Sequence, residues 1–367
     1  MRVGVPREVK VHEYRVGLTP TSVREVVAHG HEVLVERSAG AGIGAGDAAY
    51  EKAGAKIVED AFADAELIVK VKEPQPQERK RLREQHVLFA YLHLAPDPQQ
   101  ARDLVATDAV CIAYETVTRS GGGLPLLAPM SEVAGRMAIQ VGAGCLEKER
   151  GGMGTLLAGV PGVPAAKIVI LGAGVVGANA ARIAVGSGAR VFALDRSVDA
   201  LRRIESESGA RVVTVYSSRD AIEQHVLSAD LVVGAVLVPG AAAPKLVSRA
   251  LLKRMKPGAA LVDVSIDQGG CFETSRPTTH ADPTYVIDGV VHYCVANMPG
   301  AVPRTSTYAL NNATLPFVLA LADKGWARAL ADDPYLREGL NVARGKVTYR
   351  AVAQAVGLDY TPAESLL

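Results

Sequence analysis

Short runs rich in Val, Ile and Leu alternate along the chain with longer segments of helical period. This alternation predicts βαβ units, with strands buried on both faces of parallel sheets. In the first third the runs cover 2–5, 32–35, 67–71, 87–92 and 110–114. The first helix is well marked: Thr19 suits its N-cap, Pro20 its first turn, and Val23, Val26 and Val27 supply an apolar face. Residues 1 to about 125 therefore form one doubly wound unit. Gly121 to Gly123 and the run Leu124-Pro-Leu-Leu-Ala-Pro-Met then interrupt the pattern and mark a boundary. Beyond it, Ser131 is expected to cap a long helix that runs to about Arg150 and closes at Gly151 and Gly152. A second strand series follows at 168–171, 191–194, 212–215, 231–234 and 261–264. After about Thr307 the pattern is helical only, and such a tail is expected to pack back on an existing domain. The fold class is α/β, with two doubly wound Rossmann-like domains.

Composition narrows the function. At 367 residues and 49% hydrophobic, the chain has apolar material for more than one core, which excludes a disordered or fibrous protein. Its formal net charge of +1 offers no global field for nucleic acid or an anionic membrane. The opening segment turns charged before any apolar stretch of signal-peptide length, so no secretory segment is expected. The longest uncharged apolar stretch, 231–244, is shorter than the roughly 20 residues that span a bilayer. Cys111, Cys145, Cys271 and Cys294 fall in no CxxC pair, which fits a reduced, cytoplasmic setting.

The strongest motif is Lys167-Ile-Val-Ile-Leu-Gly172-Ala-Gly174-Val-Val-Gly177. A buried strand precedes this GxGxxG, an Ala-rich helix follows, and a second strand ends at Asp195, about 20 residues on. Gly172 permits the tight turn, Gly174 lets the backbone approach a pyrophosphate, and Gly177 lets helix and strand pack closely. The helix N-terminus then faces the phosphate charge. Asp195 would accept from the adenosine ribose hydroxyls and repel a 2′-phosphate, which favours NAD over NADP. The bland alternative is a glycine turn in a domain that binds no nucleotide.

Ligands of open α/β sheets lie outside the carboxyl ends of the strands, and four ionisable residues lie there. Arg15 sits in the loop after the first run, Lys72 and His93 close the third and fourth, and Asp267 follows 261–264. Two cations beside a His and an Asp suit a small carboxylate and proton transfer at its neighbouring carbon. Taken singly, each is as well explained as the polar end of a strand. The eight histidines show no HExxH or HxxxH spacing, so no metal is expected. There is no GxSxG elbow and no P-loop, and the glycine-rich stretch Gly40 to Gly46 reads as a loop.

These residues resemble the alanine dehydrogenases, which are grouped with the NAD-binding subunit of the proton-translocating nicotinamide nucleotide transhydrogenases. The resemblance runs the whole chain: Val3-Gly-Val-Pro-Arg-Glu, Glu13-Tyr-Arg15-Val, Val69-Lys-Val-Lys72-Glu-Pro, Leu92-His93-Leu and Leu127-Ala-Pro-Met-Ser131-Glu-Val-Ala-Gly in the first part. Asp263-Val-Ser-Ile-Asp267-Gln-Gly-Gly, Val295-Ala-Asn297-Met298-Pro and Thr305-Ser-Thr-Tyr-Ala-Leu complete it.

The resemblance implies that Arg15 and Lys72 bind pyruvate or alanine, that His93 and Asp267 are the acid and base residues, and that the cofactor is NAD. It implies cofactor contacts from Ser131, from Val175 and Val176 in the glycine loop, and from Asp195, Ser217, Val236 and Leu237. Further contacts are implied from Val264, Ser265, Ile266 and Asp267, and from Val295, Ala296, Asn297 and Met298. It also implies a substrate domain of 1–127 plus 307–367, an NAD domain of 128–306, and a homo-oligomer, commonly a hexamer. Ala200 stands where relatives place a Lys near the adenosine, and Arg196 beside Asp195 softens the rejection of a phosphate. The implied reaction converts L-alanine, NAD and water reversibly to pyruvate, ammonium and NADH. Arg15 would clamp the carboxylate, ideally through a bidentate pair, and Lys72 would add charge near the carboxylate and carbonyl oxygens. His93 would give and take protons, while Asp267 either activates the water or amine or holds the ribose. Two rivals remain: a transhydrogenase-type NAD(H)-binding subunit and a non-catalytic NAD-binding module.

Overall fold

The computed structural model describes residues 1–236 and 243–367. Leu237 lies outside the described residues. The chain divides into two compact units, Met1–Met130 with Val302–Leu367, and Ser131–Ala301.

Among the described residues, eight strands form the sheet of the first unit. In chain order they are β1 (Arg2–Val5), β2 (Glu32–Glu36), β3 (Lys56–Val58), β4 (Leu67–Val69), β5 (Val87–Ala90) and β6 (Val110–Ala113), joined late in the chain by a pair numbered below. The first six are parallel and lie in the order β3-β2-β1-β4-β5-β6, so the winding reverses between β1 and β4. Strands β4, β5 and β6 are buried at every position, which is why they read as unbroken apolar runs. One face of this sheet packs Ile68, Leu88 and Cys111 against Leu104 of the helix Pro98–Val105 and Val352 of the helix Arg350–Val356. Each of the Ile, Leu and Val side chains contributes roughly 1.5–3 kcal/mol by leaving water.

The second unit repeats the plan with seven strands among the described residues. They are β7 (Lys167–Leu171), β8 (Arg190–Asp195), β9 (Val212–Tyr216), β10 (Leu231–Gly234), β11 (Ala260–Asp263), β12 (Thr284–Ile287) and β13 (Val290–Tyr293). The order β9-β8-β7-β10-β11-β13-β12 again reverses beside the first strand, here between β7 and β10, and only β12 runs antiparallel.

Two sequence expectations are corrected. The tail after Thr307 is not strandless: β14 (Leu340–Ala343) pairs antiparallel with β6, and β15 (Lys346–Val347) with β14. Asn341 broke the apolar signal of β14. It is buried, donating to Thr116 Oγ1 at 2.8 Å and to the Gly339 carbonyl at 2.9 Å. Ser131 is not an N-cap, because the helix already begins at Ala128 and ends at Cys145, with a separate 3-10 turn at Lys148–Arg150. The contacts draw the unit boundaries at 130/131, inside that helix, and at 301/302, just before the helix Pro303–Lys324.

Thr19 does cap the helix Pro20–Ala28, its hydroxyl accepting from the Ser22 N–H at 3.2 Å. Among the described residues no helix is long and apolar enough to cross a membrane.

Candidate active site

In open α/β sheets ligands lie outside the carboxyl ends of the strands at the reversal of their order, which here falls between β1 and β4. The loop after β1 bears Arg15, the end of β4 leads to Lys72, and the end of β5 leads to His93, so three of the four candidates come from three adjacent strands. The loop holding Arg15 is pinned by the long helix Pro303–Lys324. Asn311 accepts from the Thr19 N–H at 2.9 Å and donates to the Gly17 carbonyl, while Thr307 Oγ1 accepts from the Val16 N–H at 3.4 Å. Gly17 has no room for a side chain, since a Cβ would lie 2.1 Å from the Val69 carbonyl oxygen.

Arg15 is buried and paired with Glu13, its Nε at 2.7 Å from one carboxylate oxygen and its Nη2 at 2.5 Å from the other. Burial opposes the guanidinium charge, but the bond to Glu13 outweighs it and raises its pKa. The Nε/Nη2 edge of the fork is thus taken by Glu13. Nη1 donates to Met130 Sδ at 3.0 Å.

Lys72 is half-buried beside Glu73. Burial pushes the Glu73 carboxyl up, yet Lys72 and Lys10 overcome this and leave it below its ordinary value. Behind Lys72 lies a fully buried triad: Lys70 Nζ reaches Glu8 at 3.0 Å and Glu78 at 2.7 Å. The other Glu8 oxygen accepts the Val71 N–H at 2.7 Å and the Lys72 N–H at 3.4 Å. His93 is exposed, has a positive φ of 50°, and stacks on the buried Tyr91 ring with centroids 5.7 Å apart.

The second unit gathers its candidates at the carboxyl ends of β7, β8, β9, β10, β11 and β13. Gly172, with φ of 106°, sits where a Cβ would be 2.5 Å from the Ala235 carbonyl oxygen. A Cβ on Gly177 would strike the Gly172 carbonyl oxygen, whereas one on Gly174 would meet nothing within 4 Å. Gly174 therefore borders open space. It is the N-cap residue of the helix Val175–Gly186, has no side chain to cap it, and is followed by an exposed Val175 and a half-buried Val176. Uncapped N–H groups beside open space suit an anionic group.

Asp195 anchors this loop. Its carboxylate accepts from the Ala173 N–H at 2.6 Å and the Ser197 N–H at 2.7 Å, and its carbonyl accepts from the Ser217 N–H at 3.0 Å. Ser131 is half-buried in the helix Ala128–Cys145, and Val236 accepts at its carbonyl from Ser265 Oγ at 2.7 Å. Val264 to Gln268 form a 3-10 turn containing Ser265, Ile266 and the exposed Asp267. It is organised by the buried Asp263, which accepts from the N–H groups of Ser265 and Cys271 at 3.1 and 2.9 Å. Burial raises the Asp263 pKa against these bonds and that from Ser275. Val295 is buried and Ala296 half-buried, Asn297 has a φ of 64°, and its carbonyl accepts from His280 Nε2 at 3.1 Å ahead of the turn at Met298.

Sequence reasoning passed over Glu8, Glu13, Glu115 and Asp263, four carboxylates that hold the backbone or side chains of candidates. Glu8, Glu13 and Glu115 lie in loops or turns after a strand and Asp263 closes β11, positions that alone do not separate them from acidic residues facing water. All four cysteines are buried and unbridged, and burial raises the thiol pKa of Cys145 to about 11 and of Cys111 to about 12.

A GxGxxG loop, an acidic residue ending the next strand and a second doubly wound sheet bearing ionisable strand ends define a two-domain dinucleotide-binding α/β oxidoreductase. The description "Alanine dehydrogenase/PNT, N-terminal domain" matches residues 4–134, and "Alanine dehydrogenase/PNT, C-terminal domain" matches residues 138–350. The chain belongs to the alanine dehydrogenase/PNT family, and the alanine dehydrogenases are NAD-dependent. The alanine dehydrogenase of Halomonas elongata is 60% identical over the full length of both chains. A solved L-alanine dehydrogenase superposes with a TM-score of 0.94 at 50% identity, covering 97% of this chain and 99% of its own. A solved transhydrogenase from Sinorhizobium meliloti has a TM-score of 0.81 at 25% identity, covering 96% of this chain and 100% of its own.

Proposed function

We propose that this chain catalyses the reversible oxidative deamination of L-alanine to pyruvate and ammonium with NAD, Arg15 and Lys72 holding the substrate and His93 and Asp267 moving protons. The observation that supports it most is the convergence of Arg15, Lys72 and His93 on three adjacent strand ends beside the first sheet's reversal. Small carboxylates suit such a place: Arg15 brings a guanidinium and Lys72 an ammonium from adjacent strand ends. NAD fits the second unit, where Gly174 leaves open space at an uncapped helix N-terminus and Asp195 presents a carboxylate for the ribose. Ser131, Val175, Val176, Ser217, Val236, Val264 to Asp267 and Val295 to Met298 are assigned to the same ligand; Leu237 belongs to this assignment but lies outside the described residues.

When bound, NAD supplies the hydride acceptor. Arg15 and Lys72 fix the carboxylate so that Cα presents its hydrogen. Loss of hydride leaves an iminium carbon that takes up water, and ammonia then departs. An imidazole gives and takes protons near neutral pH, so His93 serves the substrate oxygen as it forms the carbonyl. Asp267 orients the water or the amine. The chain works as a homo-oligomer, a hexamer, in this reading, and light scattering of the purified protein would remove that part by finding a monomer.

The test is a spectrophotometric screen of amino acids with NAD and NADP, and of 2-oxo acids with ammonium. L-alanine and NAD should give the highest kcat/KM, and no alanine-dependent NADH would defeat the proposal. The likeness to the Sinorhizobium meliloti transhydrogenase favours a second reading, an NAD(H)-binding subunit that hands hydride to NADP on a partner. Alanine-dependent NADH formation by this chain alone separates the two.

A further inference from the structure

His93 occupies a backbone conformation that its residue type resists. Its φ of 50° lies in the left-handed region, which costs a residue with a Cβ about 1 kcal/mol or more unless its surroundings compel it. The compulsion is visible on three sides. Glu115, in the 3-10 turn Tyr114–Thr116 directly after β6, aims its carboxylate at the end of β5. One oxygen accepts the His93 N–H at 2.6 Å, and both lie 3.2 Å from the Leu92 nitrogen. Such charge-assisted bonds are about twice as strong as neutral ones. From the other side, Gln100 Nε2 donates to the Leu92 carbonyl at 2.6 Å. Beneath the imidazole, the Tyr91 ring lies parallel to it within 8°. Tyr91 is fixed in turn by its hydroxyl, which donates to the Leu126 carbonyl at 2.5 Å, and by edge contacts with Tyr114, which packs on Phe89.

We propose that Glu115 is a positioning residue for the alanine reaction: its carboxylate, by binding the N–H groups of Leu92 and His93, holds the His93 backbone in the left-handed conformation that keeps the imidazole over Tyr91 and directed at the substrate. The inference rests on His93 being the proton-transfer residue. Glu115 itself touches no reacting atom. Without it, His93 relaxes to an ordinary φ, the ring leaves its stack, and the imidazole meets the substrate off line, where a displacement of about 1 Å costs on the order of 10²-fold in rate.

The experiment is a double-mutant cycle on turnover with Glu115→Ala, Glu115→Gln, His93→Ala and the pairs. Glu115→Ala should lower kcat about 10- to 100-fold, with the pyruvate KM and the NADH Kd within about twofold of the parent. Glu115→Gln keeps an acceptor oxygen without its charge and should lose only about three- to tenfold. In the His93→Ala background neither change should lower the residual kcat by more than about twofold, because the residue being positioned is gone. If Glu115→Ala does not fold, the cycle is completed with Glu115→Gln. Wild-type kcat in Glu115→Gln, or a loss repeated undiminished in the His93→Ala background, overturns the inference. Wild-type turnover in His93→Ala alone would instead defeat the proton-transfer reading beneath it, so the two failures are distinct.

Discussion

The two sheets share the strand order 3-2-1-4-5 around their reversal points, yet they present opposite chemistry there. At the first reversal the loops carry long charged side chains, Arg15 and Lys72, with His93 one strand further on. At the second they carry glycines and small apolar residues and offer backbone N–H groups. Long cationic side chains suit a small anion, whereas exposed backbone N–H groups suit a ligand laid close to the main chain. What they have in common is less visible. In both, a carboxylate at or just beyond a strand end clamps main-chain N–H groups, on a neighbouring strand's loop for Glu8 at Val71 and Lys72, Glu115 at Leu92 and His93 and Asp195 at Ala173, and on its own strand's loop for Asp263 at Ser265 and Cys271. A loop that must hold a ligand cannot also bury itself, so its shape is fixed from below.

The largest effect that would test this contrast is at His93. His93→Ala should fold and bind NADH normally but lose roughly 10²–10⁴ in kcat, the usual contribution of a proton-transfer group. Isothermal titration and steady-state rates read the two properties separately, and a matching loss of NADH affinity would erase the division of labour.

Arg15 comes next. Arg15→Ala removes the guanidinium that pairs with the buried Glu13 carboxylate, so unfolding by denaturant should show a loss of about 3–5 kcal/mol, together with a raised pyruvate KM. Adding Glu13→Ala should restore most of the stability and none of the substrate affinity. Recovery of both would mean that Arg15 acts on the fold alone.

At Asp195 the expected effect is smaller. Asp195→Ala should cost NAD about 1.5–3 kcal/mol of binding, from the lost charge-assisted bonds, and should shift kcat/KM toward NADP. Combining it with Arg196→Ala should reduce the gain for NADP. An unchanged cofactor ratio would leave Asp195 as a loop anchor only.

The smallest effect lies at neither reversal point. His31 and His29 bond the Asp323 carboxylate and hold its pKa below the ordinary value. A carboxylate with a lowered folded pKa adds stability above its unfolded pKa and loses it as pH falls through the folded one. Asp323→Asn should therefore lower Tm slightly at pH 6 and by less at pH 3. Equal shifts at both pH values would show that the bonds do not depend on charge.

The strands most open to sequence reading were those buried on both faces, such as Val-Leu-Phe-Ala of β5 and Leu-Val-Val-Gly of β10. Those passed over were edge or mixed strands. Lys-Ile-Val of β3 is short and half-exposed, Thr-Tyr-Val-Ile of β12 is half-exposed at an edge, and β13 carries the buried His292. The glycine loop was legible because its constraints are local: φ at Gly172 and close contact at Gly177. Glu115 was not, because an acidic residue in a turn usually faces water, and only pairing between β5 and β6 brings it to His93.

The late arrival of β14 bears on how the chain is made. β6 is complete once Ala113 has emerged from the ribosome, but the strand that covers its edge begins at Leu340. At about 5–20 residues per second that edge waits roughly 10–45 s, while the whole second unit is synthesised in between. An open strand edge over such a time is a template for pairing with another nascent chain. The inserted unit, Ser131–Ala301, is continuous and can fold as soon as it appears. Translation order thus makes the unit Ser131–Ala301 the first to finish and the unit that β14 completes the last.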